Sequence, residues 1–144
     1  MIVVVAPGQG SQTPGFLEPW LAESKFREHL QRISDSVGID LVKHGTTSDA
    51  DTIRDTAIAQ PLIVAAGMLA LEGLIDDRDR VRIGGTAGHS VGEVTAAVVA
   101  GILGEEEALR FVKQRSVGMA DAAKLHKTGM SAVIGGDEAT LLAR

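Results

Sequence analysis

The chain opens on a run of β-branched residues, Ile2 to Val5 with Ala6, closed by Pro7 and Gly8. A short apolar run without polar alternation predicts a strand buried on both faces, as in a parallel sheet. The Gly, Pro, Ser and Gln residues from Pro7 to Gly15 predict a loop. From Phe16 to Val37, the apolar positions Leu17, Trp20, Leu21, Phe26, Leu30, Ile33 and Val37 recur at broadly helical spacing. Pro19 interrupts this pattern early, and Gly38 suits a helix end. Asp40 to Thr56 is polar and predicts short helical turns, with Ser48 and Asp51 as a capping signal. Pro61 to Leu74 has little polar face and predicts a deeply packed helix.

After the charged turn Asp76 to Arg82, Ile83 to Gly88 predicts a second strand. A small-residue helix follows from Val91 to Ala100, ended by Gly101, and then a longer helix from Glu105 to Leu125. Its first turn is acidic and its last turns basic, the order the helix dipole favours. Met130 to Ile134 predicts another strand, and Asp137 starts a last helix. Alternating strands and helices predict an α/β fold.

Composition narrows the function classes. The 144 residues suffice for one compact domain with a core. The net charge of −5, with Lys and Arg scattered, leaves no electrostatic footprint for nucleic acid and no basic helix for a membrane surface. The absence of cysteine excludes disulfides, a thiolate nucleophile and a Cys-based metal site. The apolar start lacks a basic n-region, and no stretch is read as reaching the ~20 apolar residues of a membrane span. The expectation is a cytoplasmic protein.

The chemistry concentrates at Gly88-His89-Ser90-Val91-Gly92, a G-x-S-x-G pattern between a predicted strand and a predicted helix. A serine on such a turn is pushed out of the sheet, and the glycines accept the strained backbone. The helix beginning at Val91 aims free N–H groups at the serine, where an oxyanion would form. The alternative is a packed turn carrying a solvated serine. His89 is a poor base, because adjacent side chains at an elbow diverge; a structural role suits it and Glu93 better.

Arg115 falls within the apolar stripe Ala108, Val112, Met119 and Ala122, where a guanidinium needs an anion. That anion is either a structural carboxylate such as Glu93 or the free carboxylate of a bound acyl group. The loop Gly8-Gln9-Gly10-Ser11-Gln12 lacks the third glycine of a dinucleotide fingerprint and the Lys of a P-loop. It could still bring a backbone N–H to a ligand.

Together, Ala6-Pro7-Gly8-Gln9-Gly10-Ser11-Gln12, Thr56-Ala57-Ile58-Ala59-Gln60-Pro61, Gly88-His89-Ser90-Val91-Gly92-Glu93, Gln114-Arg115 and Thr128-Gly129-Met130-Ser131-Ala132 closely resemble the malonyl-CoA:acyl carrier protein transacylases. The resemblance runs in order through essentially the whole chain, as an N-terminal half. It implies that Ser90 becomes the acyl-enzyme and that the N–H groups of Gln9 and Val91 form the oxyanion hole. It implies that Arg115 holds the malonyl carboxylate and that Gln60 lies near the substrate. It further implies ping-pong transfer of malonyl from malonyl-CoA to acyl carrier protein, in fatty acid or polyketide synthesis, without a cofactor or metal. The implied fold is a hydrolase-like parallel-sheet core over residues 1–127, with the start of a small ferredoxin-like subdomain over 128–144. The implied full-length protein is a monomer.

The family's general base is a histidine in a downstream Gly-x-Phe-His type motif that has no match here. His29, His44, His89 and His126 are the available histidines, and His29, His44 and His126 are read as surface residues. This polypeptide is therefore expected to be a piece of a longer enzyme, catalytically poor and marginally stable alone, since losing a triad-type partner costs ~10⁴-fold in rate. Alternatives are a serine thioesterase or esterase using the same elbow, and a non-enzymatic binding module.

Overall fold

The computed structural model describes residues 1–75, 78, 82–125, 135–137 and 139–140. Strand β1 spans Ile2–Ala6 and pairs in parallel with β2, Ile83–Gly88. The pairing sets Val4 opposite Thr86 and Ala6 opposite Gly88, so both strands end at the same edge. Between them run a 3-10 turn, Trp20–Ala22, and helices α1 (Ser24–Val37), α2 (Leu41–Thr46), α3 (Ala50–Arg54) and α4 (Thr56–Leu74). Helices α5 (Gly92–Val99) and α6 (Glu105–Leu125) follow β2. The α/β class, the order of elements up to Leu125 and the bounds expected for α6 match the sequence reading.

The core lies among the helices. Leu30, Ile33 and Val37 of α1, Leu62, Val64 and Leu69 of α4, and Ala108, Leu109 and Val112 of α6 are fully or almost fully buried. Helix α4 is central and touches α1, α2, α3, α5 and α6. It begins at Thr56, five residues before the expected start. Asp55 Oδ1 accepts from the Ala57 N–H at 2.8 Å, which caps the helix there. Pro61, a residue suited to a first turn, instead lies inside the helix and costs it one backbone hydrogen bond. At 19 residues with a mean hydropathy of 1.7, α4 is also long and apolar enough to cross a membrane, contrary to the reading that no stretch was. Here that apolar surface packs on five other helices, and half of it is buried.

Two further readings change. Strand β1 is not buried on both faces: Val3 and Val5 are 53% and 72% exposed. Helix α5 packs against both strands, and residues 2, 4 and 6 are less exposed than 3 and 5. The described helices therefore cover one face only. Helix α3 is capped by Asp49, whose side chain accepts from Thr52 N–H at 2.8 Å, and not by Ser48. Ser48 is buried, its hydroxyl 2.9 Å from His44 Nδ1. The strand expected over Met130 to Ile134 lies outside the described residues, while Asp137 does accept from Thr140 N–H, as a helix start requires.

Candidate active site

Ser90 stands where β2 turns into α5. Its φ of +55° is the only positive value outside glycine among the described residues. A serine in that region stores strain that the surroundings must hold. Two backbone bonds do so: His89 N–H donates to Ala6 O at 3.1 Å, and Gly92 N–H donates to His89 O at 3.0 Å. The flanking glycines are a steric requirement. A Cβ on Gly88 would lie 2.2 Å from backbone atoms of Gly92 and Glu93, and one on Gly92 would lie 2.4 Å from Ala6 O. Val91 is fully buried and anchors the turn from below, while Ser90 stays exposed.

The first turn of α5 uses Gly92, Glu93 and Val94 N–H on the carbonyls of His89, Ser90 and Val91. Among the described residues, the N–H groups of Val91 and Gln9 have no hydrogen-bond partner. Gln9 lies on the loop after β1, which abuts the elbow through Gly8 and the His89 ring. Its side chain turns away, with Nε2 donating to Arg54 O at 3.3 Å and to Thr56 Oγ1 at 3.2 Å. What Gln9 has free for a ligand is therefore its backbone.

Arg115 reaches the elbow from α6. Its Nη2 donates to Ser90 Oγ at 3.2 Å and its Nη1 to Gln60 Oε1 at 2.5 Å. Gln60 is 1% exposed, and its Nε2 meets the Met119 sulfur at 3.3 Å, so both ends of the amide are engaged. The sequence reading offered Glu93 as one of two counter-ions and a buried apolar stripe as the setting. Neither Glu93 nor that setting holds. Arg115 is half-buried, Met119 and Ala122 are exposed, and no described carboxylate pairs with the guanidinium. Gln60, a lone buried amide near the start of an apolar helix, was the available clue to the partner.

Ser90 and Arg115 line one cleft of about 220 Å³ with Glu93. Val94, Ala97, Leu103 and Phe111 form its apolar side. Sequence reasoning missed this wall, because it draws on α5, α6 and the link between them. Gln60 and Gln9 lie outside the lining.

No described histidine is hydrogen-bonded to Ser90. His29 is 9% exposed rather than on the surface, with Nδ1 2.5 Å from Glu72 Oε2 and Nε2 2.7 Å from Glu105 Oε1. His44 is half-buried, and burial pushes its imidazole below the usual value. The His89 side chain is exposed, and His126 lies outside the described residues. The cavity around His29, about 500 Å³, is larger than the Ser90 cleft but is lined by none of the elbow residues.

Comparisons with known proteins give the family. Residues 3–143 match the family model described as acyl transferase domain. The whole chain is 45% identical to the malonyl CoA-acyl carrier protein transacylase of Mycobacterium tuberculosis, covering 48% of it. The crystal structure of MCAT from that organism superposes with a TM-score of 0.87 at 44% identity, over 99% of this chain and 48% of that one. A type II PKS acyl-carrier protein in complex with its malonyl-transacylase also matches, with a TM-score of 0.71 at 30% identity, over 83% of this chain and 39% of that one. The chain thus spans about half the length of these relatives. An exposed serine at a strained strand-to-helix turn, a guanidinium beside it that pairs with no described carboxylate and a family match over nearly every residue lead to one conclusion: the chain belongs to the acyl transferase domain family.

Proposed function

We propose that this chain carries the nucleophile and the acyl-carboxylate clamp of a malonyl-CoA:acyl carrier protein transacylase. The observation that carries this reading is the guanidinium of Arg115, bonded to Ser90 Oγ and to a neutral amide but to no described carboxylate. A malonyl group has one methylene between its thioester carbonyl and its carboxylate. When that carbonyl sits on Ser90, the carboxylate comes within reach of a cation already at the hydroxyl, and a guanidinium can grip it with two parallel hydrogen bonds. An ordinary esterase has no need for such a cation.

In the proposed reaction, Ser90 Oγ attacks the thioester carbonyl of malonyl-CoA and gives its proton to a base. The oxyanion is held by the N–H groups of Val91 and Gln9. The C–S bond then breaks, the thiolate of coenzyme A leaves with a proton, and malonyl remains esterified to Ser90. The phosphopantetheine thiol of acyl carrier protein attacks that ester and restores Ser90. Gln60 acts by positioning Arg115. The base is not His29 or His44, since each ring is engaged elsewhere; the resemblance assigns it to a downstream motif this sequence does not contain. The named relatives support this donor and acceptor. We further place the protein in the cytoplasm as a full-length monomer without a cofactor, and assign residues 128–144 to the start of a ferredoxin-like subdomain.

The test is prolonged incubation of the chain with malonyl-CoA, with and without imidazole as a diffusible base, read by intact mass. A single malonyl adduct that maps to Ser90, forms faster with imidazole and is absent from Ser90→Ala is expected. An adduct that persists in Ser90→Ala, or none under either condition, would overturn the assignment.

A further inference from the structure

Away from the elbow, His29 joins three helices. The residue is on α1, Glu72 is near the end of α4 and Glu105 opens α6. The two ring nitrogens are each within hydrogen-bond distance of a different carboxylate, at 2.5 and 2.7 Å. A neutral imidazole has one N–H and one lone pair. It can donate to one of these carboxylates only, and its lone pair then faces the oxygen of the other. The observed pair of short contacts needs both nitrogens protonated. We propose that His29 is an imidazolium in the folded protein and that its proton latches α1, α4 and α6 together.

The surroundings agree. The charged groups facing the ring across the adjoining cavity are Arg32 from α1, Glu72 from α4, and Glu105 and Glu106 from α6. Three carboxylates against one guanidinium favour a cation between them. Burial opposes the charge on His29, but hydrogen bonds to Glu105 and Glu72 outweigh it and raise the ring above its ordinary value. The sign follows. A group whose affinity for a proton rises on folding stabilises the fold fully below its unfolded value, and that stability is lost as pH rises through the folded value. The latch is therefore closed in mild acid and opens as the solution becomes alkaline.

The latch has a mechanical consequence. Helices α4 and α6 run antiparallel: Gln60 and Arg115 meet near one end, and Glu72 and Glu105 share His29 near the other. Twelve residues of α4 separate Gln60 from Glu72, roughly 18 Å at 1.5 Å per residue. Losing the proton releases the distal end of the pair that carries Arg115, independently of the acyl chemistry at Ser90.

Two measurements on the 144-residue chain test the proposal. The first follows the His29 ring nitrogens by NMR as pH rises. Two protonated nitrogens near neutrality, converting above the ordinary imidazole value of 6.5, are expected. A single N–H throughout, or conversion at or below that value, overturns the latch. The second compares denaturation between pH 6 and 9 for wild type and Glu105→Gln, whose amide can donate to a neutral ring. In wild type the unfolding constant should rise by up to about tenfold per pH unit across the transition, the limit for one linked proton. Glu105→Gln should lose most of that dependence while staying folded, and His29→Gln should lose it too. Parallel profiles for wild type and Glu105→Gln would refute it.

Discussion

At one end of the α4–α6 pair a cation has no anion among the described residues; at the other a single imidazole has two. Arg115 is held by a neutral amide and a hydroxyl, in a cleft open to solvent. His29 is held by two carboxylates on the helices that flank it. Both ends join the same helices, yet their charge is balanced differently. A charge balanced inside the protein has no need of a ligand, so the His29 end is structural. On the proposed reading, a charge with no described counter-ion beside a strained serine is completed from outside, by an acyl group that brings a carboxylate. Cavity size does not follow this distinction, since the larger cavity lies at the balanced end.

The harshest way to break this contrast is to remove the elbow itself. Gly92→Ala puts a methyl 2.4 Å from Ala6 O and 2.5 Å from Pro7 O, both backbone atoms that cannot swing away. Forcing β1 and α5 apart should cost ~3 kcal/mol, at the upper end of overpacking effects. Chemical denaturation measures it, and a midpoint like that of wild type would mean that β1 and the elbow are not packed as described. The His29 resonances of the folded fraction should be unchanged, because that end shares no contact with Gly92.

A smaller effect is expected from removing the unbalanced charge. Arg115→Ala should leave the fold intact and cost malonyl its advantage over acetyl in Ser90 acylation by about 10- to 100-fold, the worth of hydrogen bonds to a charged group. The measurement is the ratio of adduct-formation rates with malonyl-CoA and acetyl-CoA. An unchanged ratio would show that the carboxylate is held elsewhere.

The two ends also differ in how far they could be read in advance. The elbow is local. Five consecutive residues fix its turn, and its glycines declare themselves in the sequence, so Ser90 was legible. Arg115 was legible as a charge in an apolar stripe, but its partner was not, because Gln60 lies 55 residues away and meets it only when α4 packs on α6. His29 was misread as a surface histidine. On α1 alone it precedes the core residue Leu30 by one position and carries no sign that Glu72 and Glu105, 43 and 76 residues further on, will converge on it. Strand β1 was misread for a related reason. Its unbroken apolar run is that of a strand covered on both faces, whereas the described helices cover one.

The finest probe of the comparison is the cap of α4. Asp55 Oδ1 accepts from Ala57 N–H and holds the first turn of the helix, five residues before Gln60 and seventeen before Glu72. Asp55→Ala should cost about 1 kcal/mol, the usual worth of an N-cap side chain. Its distribution along α4 is the informative part. Fraying fades within a turn or two of a helix end, so amide exchange should speed up around Gln60 and remain at the wild-type rate around Glu72. If the ends act separately, the malonyl preference should weaken slightly while the His29 transition keeps its pH. If the His29 transition also moves, α4 transmits strain along its whole length, and the balanced and unbalanced ends form one coupled unit.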